Sequence, residues 1–109
     1  MWVFREDAGD VVGHAGLFPA STDNEIETGY VLRPEYWGRG YATEMCDAVL
    51  RVGFESLKLD AVIANADPGN VASRRVMEKS GMSFDGEFSL EAKWPTVRYV
   101  IRRDTWKVK

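Results

Sequence analysis

Residues 25–46, EIETGYVLRPEYWGRGYATEMC, decide how this chain is read. Ile26, Thr28, Tyr30 and Leu32 alternate with Glu27, Gly29, Val31 and Arg33, the period of a strand over 25–33. Pro34 has no N–H to give and ends any ladder there. Trp37-Gly38-Arg39-Gly40 makes a glycine-punctuated turn. Beyond it Ala42, Met45, Cys46, Val49 and Leu50 recur at helical spacing, which predicts a helix from about Tyr41 to Leu57. A strand that enters a helix through such a turn leaves unpaired N–H groups at the positive end of the helix dipole, a setting suited to phosphate. The two glycines permit backbone geometry closed to other residues and a close approach by ligand.

Upstream, Met1 to Arg5 reads as a short strand, Asp7 to Asp10 as a turn and Val11 to Phe18 as the returning strand, together a hairpin. Pro19 to Asn24 is a polar loop. Downstream, Ala61 to Ala64 is a short buried strand. The strand–helix–strand unit between 25 and 65 predicts a parallel pair with a right-handed crossover. Asp67-Pro68-Gly69-Asn70 breaks the chain, and Asn70 is placed as an N-cap. A second helix is expected over Val71–Lys79, closed by Gly81. Met82 to Phe88 reads as a strand, Ser89 to Val97 as a loop containing Pro95, and Arg98 to Arg102 as the last strand, before a polar tail with Trp106. The fold class is therefore α/β (α+β), a mixed sheet in one domain over 1–109.

Composition narrows the function classes. Apolar residues make up 45% of the 109, enough to build a core. The net charge of −3 argues against a general nucleic-acid binder. Arg33, Arg39, Arg74, Arg75 and Lys79 nevertheless gather near the glycine turn and the second helix, where a polyanion would find local positive charge. Cys46 is the only cysteine, so neither an internal disulfide nor a multi-cysteine zinc site is expected, and no metal is assigned. There is no membrane-length apolar run and no signal-peptide pattern, and the expectation is a soluble cytoplasmic protein. His14, alone in a hairpin strand, is read as packed or solvated rather than catalytic, and Cys46, at helical core spacing, as a small core residue.

Four motifs in series resemble the GNAT superfamily of acetyl-CoA-dependent N-acyltransferases, on the branch of ribosomal-protein N-terminal and spermidine acetyltransferases. They are Glu27-Thr28-Gly29-Tyr30-Val31-Leu32; Trp37-Gly38-Arg39-Gly40-Tyr41-Ala42-Thr43-Glu44; Asp67-Pro68-Gly69-Asn70 with Ala72-Ser73; and Glu78-Lys79-Ser80-Gly81-Met82. Arg103-Asp104-Thr105-Trp106 fits as well. The resemblance implies a mostly antiparallel sheet whose central strands, 25–33 and 61–65, splay apart. It implies that backbone N–H groups from Gly38 through Arg39, Gly40, Tyr41 and Ala42 to Thr43 hold the CoA pyrophosphate. Pantetheine would pair with the backbone of Val31 and Leu32, and Asn70 and Ser73 would touch the cofactor from the second helix. Arg39 is read as a phosphate partner in preference to an ordinary exposed turn residue, and Arg74 and Arg75 as a solvated face, with reach to the 3′-phosphate as the alternative.

The implied chemistry is attack of a primary amine, a protein N-terminus or a small molecule, on the thioester. The amine must first lose a proton, and Glu27, matching the family's strand glutamate, is the candidate base. Backbone N–H at a bulge of that strand would stabilise the oxyanion. Relatives often place Tyr or Ser where Met77 stands, and Met77 has no proton to give the departing thiolate. The chain also begins at the family's second strand. If nothing precedes it, the acceptor pocket is open or filled by a partner copy, and the free edge near Met1–Arg5 invites a homodimer.

The alternative is a CoA-binding remnant or regulatory module without turnover. A dinucleotide fold fits poorly, because Thr43 stands where its third glycine belongs and Asp60 precedes its strand. No Gly-Lys-Ser/Thr follows the turn, which excludes a P-loop.

Overall fold

A computed structural model describes residues 2–6, 9–20, 25–90 and 94–106. The strands are β1 (Trp2–Arg5), β2 (Val11–Pro19), β3 (Ile26–Leu32), β4 (Ala61–Ala66), β5 (Ser83–Leu90) and β6 (Trp94–Arg102). The helices are α1 (Tyr41–Arg51), α2 (Val71–Lys79) and α3 (Arg103–Trp106). The strands form one sheet in the order β1-β2-β3-β4-β6-β5. Every pairing is antiparallel except β3 with β4, which α1 connects. This is the mixed α/β sheet with one parallel crossover that the alternation over 25–33 and the helical spacing after it predict, and the mostly antiparallel arrangement is the one the resemblance implies.

Period-2 patterning sends one set of strand side chains toward the helices. Val12, Ala15, Tyr30 and Leu32 pack with Tyr36, Met45 and Val49, while Val62, Ala64, Val97, Tyr99 and Ile101 pack with Cys46, Leu50, Phe54, Met77 and Met82. Cys46 is a buried core residue. The opposite face carries His14, Phe18, Glu27 and Val31, paired as His14↔Val31 and Phe18↔Glu27. No helix covers that face among the described residues, and Val31 stays 57% exposed.

Local details depart from the sequence reading in three places. The helix after the glycine turn is α-helical only to Arg51 and then widens into a π turn over Val52–Ser56, closed by Leu57 N–H to the Val52 carbonyl at 3.0 Å. Gly53 lies inside that turn. A Cβ there would stand 3.3 Å from Leu59 and 3.4 Å from Leu17, so the missing side chain lets the helix close on the sheet.

Of the expected loop over Ser89–Val97, Ser89 and Leu90 belong to β5 and Trp94–Val97 to β6. β4 ends at Ala66, opposite Val97, so Pro95 lies beyond its ladder, where a missing donor is tolerated. Lastly, Arg103–Trp106 is a helical turn rather than a tail. Trp106 packs on Phe54 with ring centroids 5.4 Å apart, and Arg103 N–H donates to the Asp60 carbonyl at 2.9 Å. The expected turn at Asp7-Ala8, most of the loop before Glu25 and residues 91–93 lie outside the described residues.

Candidate functional site

Two features meet at the C-terminal end of β3. The first is the gap beside it. β3 and β4 pair only at Glu27↔Ile63, although β3 runs on to Leu32 and β4 to Ala66. Past that point the neighbours diverge, as a splayed central pair requires. The closed side of β3 sets which backbone groups face the opening. Arg33 N–H donates to the Val12 carbonyl at 2.9 Å, and β2–β3 register is unbroken from Leu32 to Ile26. Alternate residues point opposite ways in an antiparallel ladder, so Val31 turns its N–H and C=O toward β2. Tyr30 and Leu32 turn theirs toward the gap. The groups facing the gap are thus those of Tyr30 and Leu32, whereas those of Val31 face β2, and the Leu32 carbonyl already accepts from the Trp37 indole N–H at 2.9 Å. The bulge expected in this strand is absent. Register shifts occur instead at Phe4/Arg5 and Phe84/Gly86.

The second feature is the mouth of α1. A 3-10 turn over Pro34–Tyr36 leads into Trp37–Gly40, all exposed, with Gly38 at φ +79° and Gly40 at φ +81°. These left-handed angles suit glycine, and a Cβ at either would point into open space. Gly40 is the N-cap, and no side chain caps the helix. The N–H groups that open α1 therefore face outward at its positive end, across Tyr41, Ala42 and Thr43. Open space, uncapped amides and two left-handed glycines fit a diphosphate.

The side chains around the mouth are disposed less simply. Arg39 lies with its guanidinium 5.5 Å from the centroid of the Tyr36 ring, a cation–π contact beside the mouth. Tyr41 turns its hydroxyl away to Glu6, donating at 2.5 Å, so only its backbone belongs to the mouth. That bond, then burial, pushes the Tyr41 phenol up, and burial followed by Glu6 and Asp10 pushes Tyr36 up. Beside them a cavity of about 520 Å³ opens toward β1, lined by Phe4, Glu6, Val12, Glu44 and Met45 among others. It lies on the β1 side of α1, away from the β3–β4 gap.

On the far side of the gap, Asn70 caps α2 by accepting from Ser73 N–H at 3.1 Å. Ser73 also accepts from the Tyr30 hydroxyl at 3.2 Å, a bond that joins β3 to α2. Arg74 is committed elsewhere. It donates to the Tyr99 hydroxyl at 3.2 Å and to the Pro68 carbonyl at 3.0 Å, so of the two arginines only Arg75 stays exposed to solvent. Met77 is 4% exposed, a core side chain.

Glu27 is half-buried on the face without helical cover, at the last point where β3 and β4 touch. Among the described residues, nothing holds its carboxylate. Asn65 was not singled out from the sequence. Alternation along β4 places it on the same face as Ile63, and its Oδ1 is buried without a hydrogen-bond partner among the described residues. A buried acceptor left unpaired is a cost that an N–H donor would relieve. Only the single polar residue in the run Ala61–Ala66 could have flagged it. No group of three His, Cys, Asp or Glu among the described residues could hold a metal ion. No helix among them is long and apolar enough to cross a membrane.

Comparison with known proteins agrees with this geometry. Residues 1–83 match the family model described as an acetyltransferase (GNAT) domain. The chain is 32% identical to the uncharacterized N-acetyltransferase YnaD of Bacillus subtilis, over 95% of this chain and 64% of that protein. It is 34% identical to the FsC-acetyl coenzyme A-N(2)-transacetylase of Aspergillus fumigatus, over 96% of this chain and 51% of that protein. The crystal structure of a GNAT-family acetyltransferase from Bacillus anthracis superposes with a TM-score of 0.80 at 34% identity, covering 90% of this chain and 62% of that one. The chain spans between about half and two-thirds of the length of these relatives.

Proposed function

The chain belongs to the GNAT acetyltransferase family, and on that premise we propose that it binds acetyl-CoA and transfers the acetyl group to a primary amine by direct attack. The observation that carries this reading is the single β3–β4 pairing beside an uncapped glycine-opened helix. In this reading, backbone amides from Gly38 to Thr43 hold the diphosphate, and Tyr30 and Leu32 pair with pantetheine. Asn70 and Ser73 flank the arm from α2. Glu27 takes the proton of the incoming amine, and Asn65 Oδ1 accepts a second N–H from the same nitrogen. The amine thus approaches from the face without helical cover, as a protein N-terminus or a small molecule. The lone buried Cys46 is in keeping with a reducing cytoplasmic setting. β1 is the edge strand of the sheet among the described residues, and a second copy pairing along it would extend that sheet.

A second reading, CoA binding without turnover, is favoured by one observation. Met77 is packed in the core and has no proton to offer a departing thiolate. Incubation with acetyl-CoA and a panel of amines separates the two. Amine-dependent thiol release, with an acetylated product 42 mass units heavier (roughly, for acetyl replacing hydrogen) in the mass spectrum, is the result expected of an enzyme acting by amine attack. Tight CoA binding with no amine-dependent release would instead establish the module.

A further inference from the structure

We infer that the Trp37 indole walls the path by which the pantetheine arm of CoA turns from the mouth of α1 into the β3–β4 gap. Trp37 thereby favours CoA over ligands that carry a diphosphate and no such arm. This rests on the acetyl-CoA reading above. It starts from two properties of one side chain. Trp37 is 65% exposed, the most exposed large apolar residue among those described. Its indole N–H is nevertheless bonded, donating to the Leu32 carbonyl at 2.9 Å. A wide aromatic surface is thus held toward solvent in one place by its own polar edge.

The acceptor of that bond fixes where the ring stands. The Leu32 carbonyl faces the gap, by the parity of the β2–β3 ladder. An indole nitrogen 2.9 Å from it therefore stands at the entrance to the gap. The backbone is fixed as well, because Trp37 N–H donates to the Pro34 carbonyl at 3.1 Å and closes the 3-10 turn. The next residue is Gly38, the first left-handed glycine of the phosphate turn. Trp37 so joins the two halves of the site, with its side chain at the gap and its backbone at the turn. The other two rings beside the turn are engaged elsewhere. Tyr36 is buried and lies against Arg39, and Tyr41 turns its hydroxyl to Glu6.

The arm suits such a wall. It is a chain of amides and methylenes, with a branched apolar carbon close to its diphosphate end. An aromatic surface already held in place gains from covering by those apolar groups and has little freedom left to lose. Nor does the indole N–H have to leave Leu32. A carbonyl oxygen has two lone pairs, so it keeps the indole N–H and still accepts from an amide of the arm. A ligand that ends at the diphosphate reaches the amides of α1 without meeting the ring. That difference makes Trp37 a determinant of which diphosphate is held.

The test needs no acceptor amine. Affinities for CoA, and for ADP as a diphosphate without the arm, are measured in wild type, Trp37→Phe and Trp37→Ala, with urea midpoints beside them to establish that each is folded. Trp37→Ala should weaken CoA about tenfold and change ADP by less than about twofold. Trp37→Phe keeps a ring and loses the N–H, and should fall between wild type and Trp37→Ala for CoA. Tryptophan emission of the wild type should move to shorter wavelength as CoA covers the ring, and the shift should be lost in Trp37→Phe. Equal weakening of CoA and ADP in Trp37→Ala would mean that the residue only holds the turn. Unchanged CoA affinity, or emission that CoA leaves unmoved, would mean that the ring still faces water in the complex. Each of these results overturns the inference and leaves the CoA reading standing. Failure of wild-type protein to bind CoA overturns both.

Discussion

At the scale of single residues, the outcome turns on where a side chain is missing as much as on where one is present. Gly13 is the clearest case. A Cβ there would stand 2.2 Å from the Val31 carbonyl oxygen and 3.0 Å from the Leu32 Cα, both backbone atoms that cannot step aside. Gly13→Ala should therefore destabilise the fold by about 1–3 kcal/mol through overpacking, read as a lower urea midpoint with unchanged slope. A midpoint equal to wild type would mean that β2 and β3 are not so closely set. Nothing in the local sequence singles out Gly13, since the contact depends on pairing across a hairpin. Tyr30 was equally hidden. Alternation places it on the inner face, but its partner in α2 is set by tertiary packing. Glu27 and Asn70, by contrast, stand where strand parity and helix capping put them.

At the scale of elements, strong periodicity was legible and termini were not. The two long helices and the order of strands follow from spacing of apolar residues and from glycine and proline punctuation. Pro95 misled because proline argues against a strand unless the neighbouring ladder has already ended, and β4's end at Ala66 cannot be read locally. The π turn escaped because a widened turn keeps nearly the same apolar spacing.

The junction of β1, the 3-10 turn and α1, together with Tyr30 of β3, carries a testable pH dependence. Tyr30, Tyr36 and Tyr41 all have phenols pushed above their ordinary value of 10.0, Tyr30 and Tyr36 chiefly by burial and Tyr41 chiefly by its bond to Glu6. The unfolded chain then ionises first. This contribution to stability is fully present below pH 10.0 and declines as pH rises above it toward the folded values. Urea melts at about pH 9 and about pH 11 should show that loss, and Tyr41→Phe should reduce it. A variant that loses as much stability as wild type over that interval would contradict the role of the Tyr41–Glu6 bond.

At the scale of the molecule, the sheet divides labour between its faces. One face is buried under α1 and α2 and fixes the angle at which α1 leaves β3. The other has no helix over it among the described residues and carries Glu27 and Asn65. The gap between β3 and β4 connects the two, so a ligand gripped at the mouth of α1 and threaded between the strands would present its far end beside Glu27. Of this arrangement, the splayed pair is what the resemblance implies and the structure shows, and the motifs that carry the resemblance lie on the elements that shape the gap. The acceptor was not legible, because the quoted motifs lie on the elements around the gap and none of them carries the chemistry of one particular amine. Titration calorimetry of acetyl-CoA into wild-type protein and Gly40→Asp tests the grip of the α1 mouth most directly. One molecule bound per chain by wild type, and none by the variant whose carboxylate occupies the place of the phosphates, is the expected result. Equal affinity in the two proteins, or no binding by wild type, would contradict it.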